Sequence, residues 1–448
     1  MAQHLIPCDR DQQFLMPLDM RDWLPSDDLA WFILEAVEEL DLSAFYAAYR
    51  QDGQGAAAHD PQMMVALLLY AYAVGEPSTR KIERLTSRDV GFRVIAANQA
   101  PDHTTINRFR SRHATALAEL FSQVLVLCER AGLLGTGLIA VDGTKLAADA
   151  SLAANRSYEQ VKADVERYLR EADETDRAED ELYGEARGDE LPAGLRTRAG
   201  RREALERAKA QLEAEQAALV AEAEDKRRDY EQRIERSGRR PPGPPPSGSP
   251  HREKQRKLAT AKRNLTDPDS RIVRDKGALI QGYNAQAVVC ETQVIVAADL
   301  TNEANDTRQP EPMAELATEE LERIDAAERP HTLLADSGYW NRAQMTAARA
   351  GGLETIIPTK AIDRTRARKI AARQGPEAER MDRLLATDEG MALYRRRKQI
   401  VEPVFAHIKH LRGLRRLSRR GLEAGRAEWR LIAATHNLLK LYRAPIAA

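Results

Sequence analysis

Leu138–Asp149 reads LIAVDGTKLAAD. Leu138–Val141 is an unbroken apolar run, which reads as a buried strand, and Asp142-Gly143 stands at its end. A single Asp after a strand is commonly a turn residue. Here the device recurs: HTLLADSGYW (331–340) drives a second apolar strand into Asp336 and then a glycine. Between the two lie GALIQGYNAQAVVC (277–290) and TQVIVAADLT (292–301), strand-like runs joined by a tight turn near Glu291, and a helix over 309–327. NRAQMTAARAGG (341–352) reads as a helix ended by glycines, and ETIIP (354–358) as another short strand. The order β, β, β, α, β, α, β, α predicts an α/β fold, a mixed sheet with helices on both faces. In such sheets the chemistry gathers at strand ends.

The third notable stretch is Tyr394–Lys409, YRRRKQIVEPVFAHIK. At about 100° per residue, Val401, Val404, Phe405, Ile408 and Leu411 share one apolar arc, with Arg395, Lys398, Glu402 and Lys409 on the adjacent flank. Pro403 is compatible with a helix start or with a kinked interior; if it starts the helix, Lys398 leaves the flank. Lys398 and Glu402 could also form an ordinary i,i+4 surface pair. From Arg395 to Arg443 the chain carries fourteen Lys/Arg against three acids, a surplus of eleven, whereas the residues before it sum to −12. A basic block on an otherwise acidic chain points to a polyanion partner, its alternative being an arginine-rich helix pair matched to that acidic remainder.

Upstream, Pro7, Pro17 and Pro25 mark residues 1–25 as an extended arm. Residues 26–132 read as a helical domain: helices at about 27–50 and 60–74, the latter apolar nearly all round and therefore central. A helix, a break at Asn98–Pro101 and a helix capped at Asp102 resemble a helix-turn-helix. In that arrangement His103, Thr104, Asn107, Arg108 and Arg110 would face DNA; simple helical packing is the alternative. Residues 155–265 interrupt the sheet pattern of 133–154 and 266–443. Leu205, Leu212 and Leu219, seven apart, suggest a coiled-coil hairpin bending at Leu191–Gly194, and SGRRPPGPPPSGSPHR (237–252) a proline-rich linker. This insertion reads as architecture and not chemistry.

At 448 residues, 43% hydrophobic and 31% charged, the chain fits a soluble protein of two or three domains. No run approaches a membrane span or a signal peptide, and cytoplasm is the expected compartment. Cys8, Cys128 and Cys290 are too scattered for a disulfide framework or a zinc cluster.

Carboxylates from Asp142, Asp336 and Glu402 converging on one point would raise each other's pKa, which a hard divalent cation such as magnesium or manganese resolves. Two such ions about 4 Å apart can activate a water or hydroxyl and stabilise a leaving oxygen of a phosphodiester. Lys409, Lys398 and Arg395 would hold the phosphates of the scissile strand without reading sequence. Asp149, Asp299 and Asp306 read as turn or supporting carboxylates.

Asp142 in VDGTKL, Asp336 in LLADSGY and Glu402 in YRRRKQIVEPVFAHIK resemble the DDE triad of bacterial insertion-sequence transposases. GYNAQAVV, ATHNLLKL and the N-terminal HDPQMMVALLLYAYAVGEPSTRKIERLTSRDVGFR with DHTTINRFR resemble that family too, so that only 155–265 falls outside. The related signature Tyr-x2-Arg-x3-Glu-x6-Lys fits Glu402 and Lys409 but puts Lys398 at its arginine and Arg395 at its tyrosine; Tyr394 and Arg397 sit one residue early. The resemblance implies a ribonuclease H-like catalytic domain, two magnesium ions (manganese substituting) on the three acids, and DNA as partner, gripped also by Arg397. It implies cleavage and joining of transposon ends by a homodimer or larger synaptic assembly at the nucleoid. A catalytically inactive DNA-binding derivative, or a nuclease that cuts without joining, are the competing readings.

Overall fold

The computed structural model describes residues 19–49, 58–157, 160, 198–237, 246, 262–275, 277–350, 352–359 and 375–444. Most of the 1–25 arm, the first arm and bend of the proposed coiled-coil hairpin and nearly all of the proline-rich linker lie outside them.

The N-terminal part is helical: α1 (Leu29–Glu38), α2 (Ser43–Tyr46), α3 (Pro61–Ala73), α4 (Thr79–Arg88), α5 (Val90–Ile95), α6 (His103–Arg112) and α7 (Ala114–Arg130). Asp28, Asp60, Asp89 and Asp102 each accept a backbone N–H of the first turn that follows, which fixes four of these starts. As its all-round apolar sequence requires, α3 is the central helix, buried at every position but Gln62.

The second part is a mixed sheet. Its strands are β1 (Leu138–Ala147), β4 (Arg271–Asp275), β5 (Ala278–Cys290), β6 (Ile295–Thr301), β7 (Thr332–Leu334) and β8 (Glu354–Ile356); β2 (Asn155–Ser157) and β3 (Lys262–Asn264) pair separately. The order is β4-β5-β1-β7-β8, with β6 on the far side of β5; β1 runs antiparallel to β5 and parallel to β7, and β7 parallel to β8. This six-stranded mixed sheet with its helices is consistent with a ribonuclease H-like domain. Helices α9 (Pro310–Arg323), α10 (Arg342–Ala350), α11 (Pro376–Leu385), α12 (Asp388–Ala406) and α13 (Leu422–Tyr442) complete this part, and α8 (Arg198–Ser237) is the described arm of the insertion. α8 is anchored through Glu215, which pairs with Arg263 and Arg271 beside β3 and β4. No described helix is long and apolar enough to cross a membrane.

Two sequence expectations are corrected. β1 does not end at Asp142 but continues to Ala147, because β5 pairs with it as far as Ala147–Gly282. Leu411 leaves the apolar arc and is 80% exposed, because a π turn at His407–Leu411 slows the rotation of the chain. Pro403 lies inside α12. Its missing N–H frees the carbonyl of Gln399, four residues back, and the Gln293 side chain donates to that carbonyl at 3.0 Å.

The helical part and the sheet are welded together. α13 lies across α3 and α7 on one side and β6 on the other. Glu428 on α13, 3% exposed, accepts from the Tyr72 hydroxyl of α3 at 2.7 Å and from the backbone N–H groups of Ser418 and Arg419 at 2.9 and 3.0 Å. Arg412 is fully enclosed and donates to the Tyr72 carbonyl (2.7 Å) and the Thr435 hydroxyl (2.5 Å). Gly75, at φ +84°, lets the turn after α3 pass against the Arg412 carbonyl, where any Cβ would collide with it.

Candidate active site and nucleic-acid interface

Ala140 of β1 pairs with Leu334 of β7 in parallel register. Asp142 and Asp336 are each two residues beyond that pair, so the parallel strands deliver both carboxylates at one level. Asp336 lies two residues past the end of β7 and caps the turn that follows, its Oδ1 accepting from Gly338 N at 2.7 Å. Asp142 Oδ1 accepts from Gly143 N at 2.8 Å and its Oδ2 from Arg397 Nη1 at 2.9 Å. Burial pushes the Asp142 carboxyl up to about 6; the Arg397 guanidinium opposes this, and the charges of Asp336 and Asp306 add to it.

Asp306 belongs to the same group. Its Oδ1 accepts from Asn284 Nδ2 at 2.7 Å and Gln286 Nε2 at 2.9 Å, and Lys145 Nζ stands 3.6 Å away. Gln286 in turn accepts the Tyr339 hydroxyl at 2.5 Å. Gly143 lies opposite Gln286 in the β1–β5 register, and a Cβ there would collide with the Gln286 amide. Asp306 was read from the sequence as a turn or supporting carboxylate, whereas Asn284, Gln286 and Tyr339 were not singled out. The signal was present in GYNAQAVV: two polar residues at strand period inside a buried apolar run require buried partners.

α12 supplies the basic side. Arg397 is 8% exposed and lies against Asp142 and the Tyr394 hydroxyl, with the Asp336 charge also stabilising it. Tyr394 and Arg397 therefore face the acids although they sit one residue early for the family signature, whereas Arg395 and Lys398 are exposed. Lys409, 7% exposed, donates to Thr144 Oγ1 at 3.0 Å, to the Lys145 carbonyl at 2.9 Å and to Asp275 at 3.2 Å. It braces β1 against β4, which differs from the free phosphate-holding cation expected.

Glu402 is exposed on α12, and its side chain has no hydrogen bond or ion pair among the described residues. Among the described residues no three His, Cys, Asp or Glu side chains approach closely enough to hold a metal ion. Asp142 and Asp336 fit a hard divalent cation as two ligands: two oxygen donors side by side, one with its pKa raised by burial and by its neighbour's charge. The third ligand is not assembled in this arrangement.

In the helical part Thr104, Asn107 and Arg108 of α6 are exposed, and His103 is half-buried with its Nδ1 2.8 Å from Glu83. Arg110 departs from the expectation of DNA contact. It is 6% exposed, and its guanidinium bonds the Tyr72 hydroxyl, the Pro77 carbonyl, the Ser418 hydroxyl and the Asn107 side chain at 2.9–3.3 Å. Its place at a helix-turn-helix position concealed that it points inward, toward Glu428.

Residues 18–112 match the family model described as Transposase domain (DUF772), and residues 250–438 that of the Transposase DDE domain. No curated protein and no solved structure matches the chain. Asp142 precedes the second matched stretch, but β1 is the strand on which that sheet is centred, joining β5 to β7. With both models matched in this order, the chain belongs to the DDE transposases, a transposase DDE domain preceded by an N-terminal transposase domain.

Proposed function

We propose that this transposase binds the ends of its insertion sequence and catalyses metal-dependent cleavage and transfer of DNA strands, with Asp142, Asp336 and Glu402 as its acids. The observation that carries this reading is the pair Asp142–Asp336, set at one level by parallel strands and half-buried beside Arg397. Asp142 and Asp336 would hold magnesium, which when bound supplies a Lewis acid at the scissile phosphodiester. Glu402 would join them by a change in its side-chain conformation. Arg397 holds the Asp142 carboxylate in position and offsets its charge until the site is loaded. The Tyr339–Gln286–Asp306 chain fixes the Asp306 carboxylate, whose charge bears on Asp142. Arg395 and Lys398, exposed and without side-chain partners among the described residues, are free to meet phosphates.

The decisive test is mobilisation from a donor plasmid carrying the gene's own flanking DNA, comparing wild type with Asp336→Ala. Movement by wild type alone is expected; movement by both would remove Asp336 from the chemistry. One observation favours a second reading, a DNA-binding protein without chemistry: Arg397 occupies Asp142 Oδ2 while Glu402 stands apart. Tight end binding with no nicking in magnesium or manganese would select it.

A further inference from the structure

Between α4, α6 and the loop 413–418 of the DDE part lies a polar groove with room for about 730 Å³. Beyond Asp149 and Arg416, which line both, a second trough of about 810 Å³ continues over residues 147–154 to β5. The two adjoin at these shared residues and lie in a line from the N-terminal helices to the sheet.

Its charge is positive at the rim. Arg80 on α4 and Arg416 on the loop 413–418 both line the first groove, both exposed and without side-chain partners among the described residues. The acids present are already matched: Glu76 to Lys81 at 3.1 Å and Asp149 to Arg420 at 2.7 Å. Thr104 and Asn107 line the same wall with polar side chains of the kind that reads base edges.

Both walls are held rigidly. Arg110 bonds Asn107 and Pro77 on one wall and Ser418 on the other, and Arg416 is fixed by a bridge of its backbone to Ala147. The groove is therefore preformed, and ordering it costs a ligand little. Ala147 ends the strand that carries Asp142, five residues or about 17 Å on. At about 3.4 Å per base pair that is about five base pairs.

We propose that the two grooves form one channel, the track for duplex DNA. Arg80 and Arg416 clamp phosphates from opposite walls, Asn107 reads a base edge, and the nick falls about five base pairs from the Arg416 contact. The inference rests on the transposase reading above. It adds that the DDE part itself holds the end, so that recognition and cleavage share one rigid frame.

The test uses full-length protein and two labelled 30-base-pair duplexes, one from the DNA flanking the gene and one of arbitrary sequence, with binding followed by fluorescence anisotropy from 50 to 300 mM salt. Arg80→Ala with Arg416→Ala should lower the salt slope by about 2 and weaken both duplexes equally. Asn107→Ala should leave the slope unchanged and reduce discrimination between the duplexes. Arg329→Ala, an exposed cation just before β7 at the opposite end of the sheet, should change neither. Circular dichroism confirms that each variant is folded. Wild-type binding with an unchanged slope in the double variant would overturn the channel and leave the transposase reading standing. Failure of wild type to bind either duplex would overturn both. Ethylation interference supplies a second measurement: sensitive phosphates about five base pairs from the nick support the frame, and a footprint without that offset refutes it.

Discussion

Replacing Asp142 by Asn should destroy strand cleavage and stabilise the protein. The carboxyl is pushed up to about 6, from an ordinary 3.8, chiefly by burial. A carboxylate raised in the folded state favours the fold less as it ionises. The penalty is absent below pH 3.8, grows up to about pH 6 and is constant above it. At about 1.4 kcal/mol per tenfold shift in proton affinity, the gap amounts to about 3 kcal/mol, or 2–3 after allowing for the partial exposure of the side chain. Asn resembles the protonated acid in shape and keeps one acceptor oxygen, which can take over Arg397 from Oδ2 at the expense of the bond from Gly143 N, so the variant should recover most of that penalty. The assay is urea unfolding of metal-free protein in EDTA at pH 7.5 and pH 4. The expected gain is about 2–3 kcal/mol at pH 7.5 and near zero at pH 4. Adding magnesium at pH 7.5 should then stabilise wild type by mass action and leave the Asn variant unmoved. A variant no more stable than wild type at pH 7.5, or equally more stable at both pH values, would refute the argument that burial of an ionised Asp142 strains the fold.

The His407–His436 contact predicts the opposite pH dependence. His436 Nε2 meets the Gln293 carbonyl at 3.0 Å and must donate, so its Nδ1 accepts from His407 Nδ1 at 2.9 Å and both rings are neutral. Burial lowers His407 to about 4 and His436 to about 3, from 6.5, so their stabilisation is complete above pH 6.5 and falls below it by about 1.4 kcal/mol per pH unit for each ring. His436→Asn should remove about half of that slope in acid titrations followed by circular dichroism; an unchanged slope would exclude the ring. Gly75→Ala should lose at least about 2 kcal/mol, since it combines a left-handed φ with a collision against the Arg412 carbonyl, as a lowered melting midpoint would show. A midpoint within a degree of wild type would mean that the two parts are not pressed together at this turn.

What the sequence made legible follows from what each signal depends on. Asp142 and Asp336 were readable because each sits in an apolar run, and that context is local. The central place of α3 was readable for the same reason. The reach of β1 past Asp142 was not, because Gly143–Lys145 carries no apolar run and is held as strand by β5 across the sheet. Arg110 and Arg397 were misread as free cations because a sequence states a charge and not its partner. Only the fold shows that one points at the Tyr72–Glu428 cluster and the other at Asp142. The supporting pair Asn284 and Gln286 lay in a stretch read as a strand, and its period would have put both on one face, but their polarity inside an apolar run was passed over.

These misread arginines bear on how the molecule works. Arg110 and Arg412 place buried charge at the joint between the helical part and the DDE part, and a hinge there would take Ser418 from Arg110, the Tyr72 carbonyl from Arg412 and the Tyr72 hydroxyl from Glu428, each loss inside a buried network. A reader that swings freely on a linker could find its sequence anywhere relative to the acids. A reader welded to the sheet can present a duplex to Asp142 in one register only. The same burial that makes the joint stiff also raises the Asp142 carboxyl, so the fold gives up stability at the acids and recovers it at the joint. Uncoupling the two by removing Arg110 should therefore scatter the cleavage position before it abolishes cleavage.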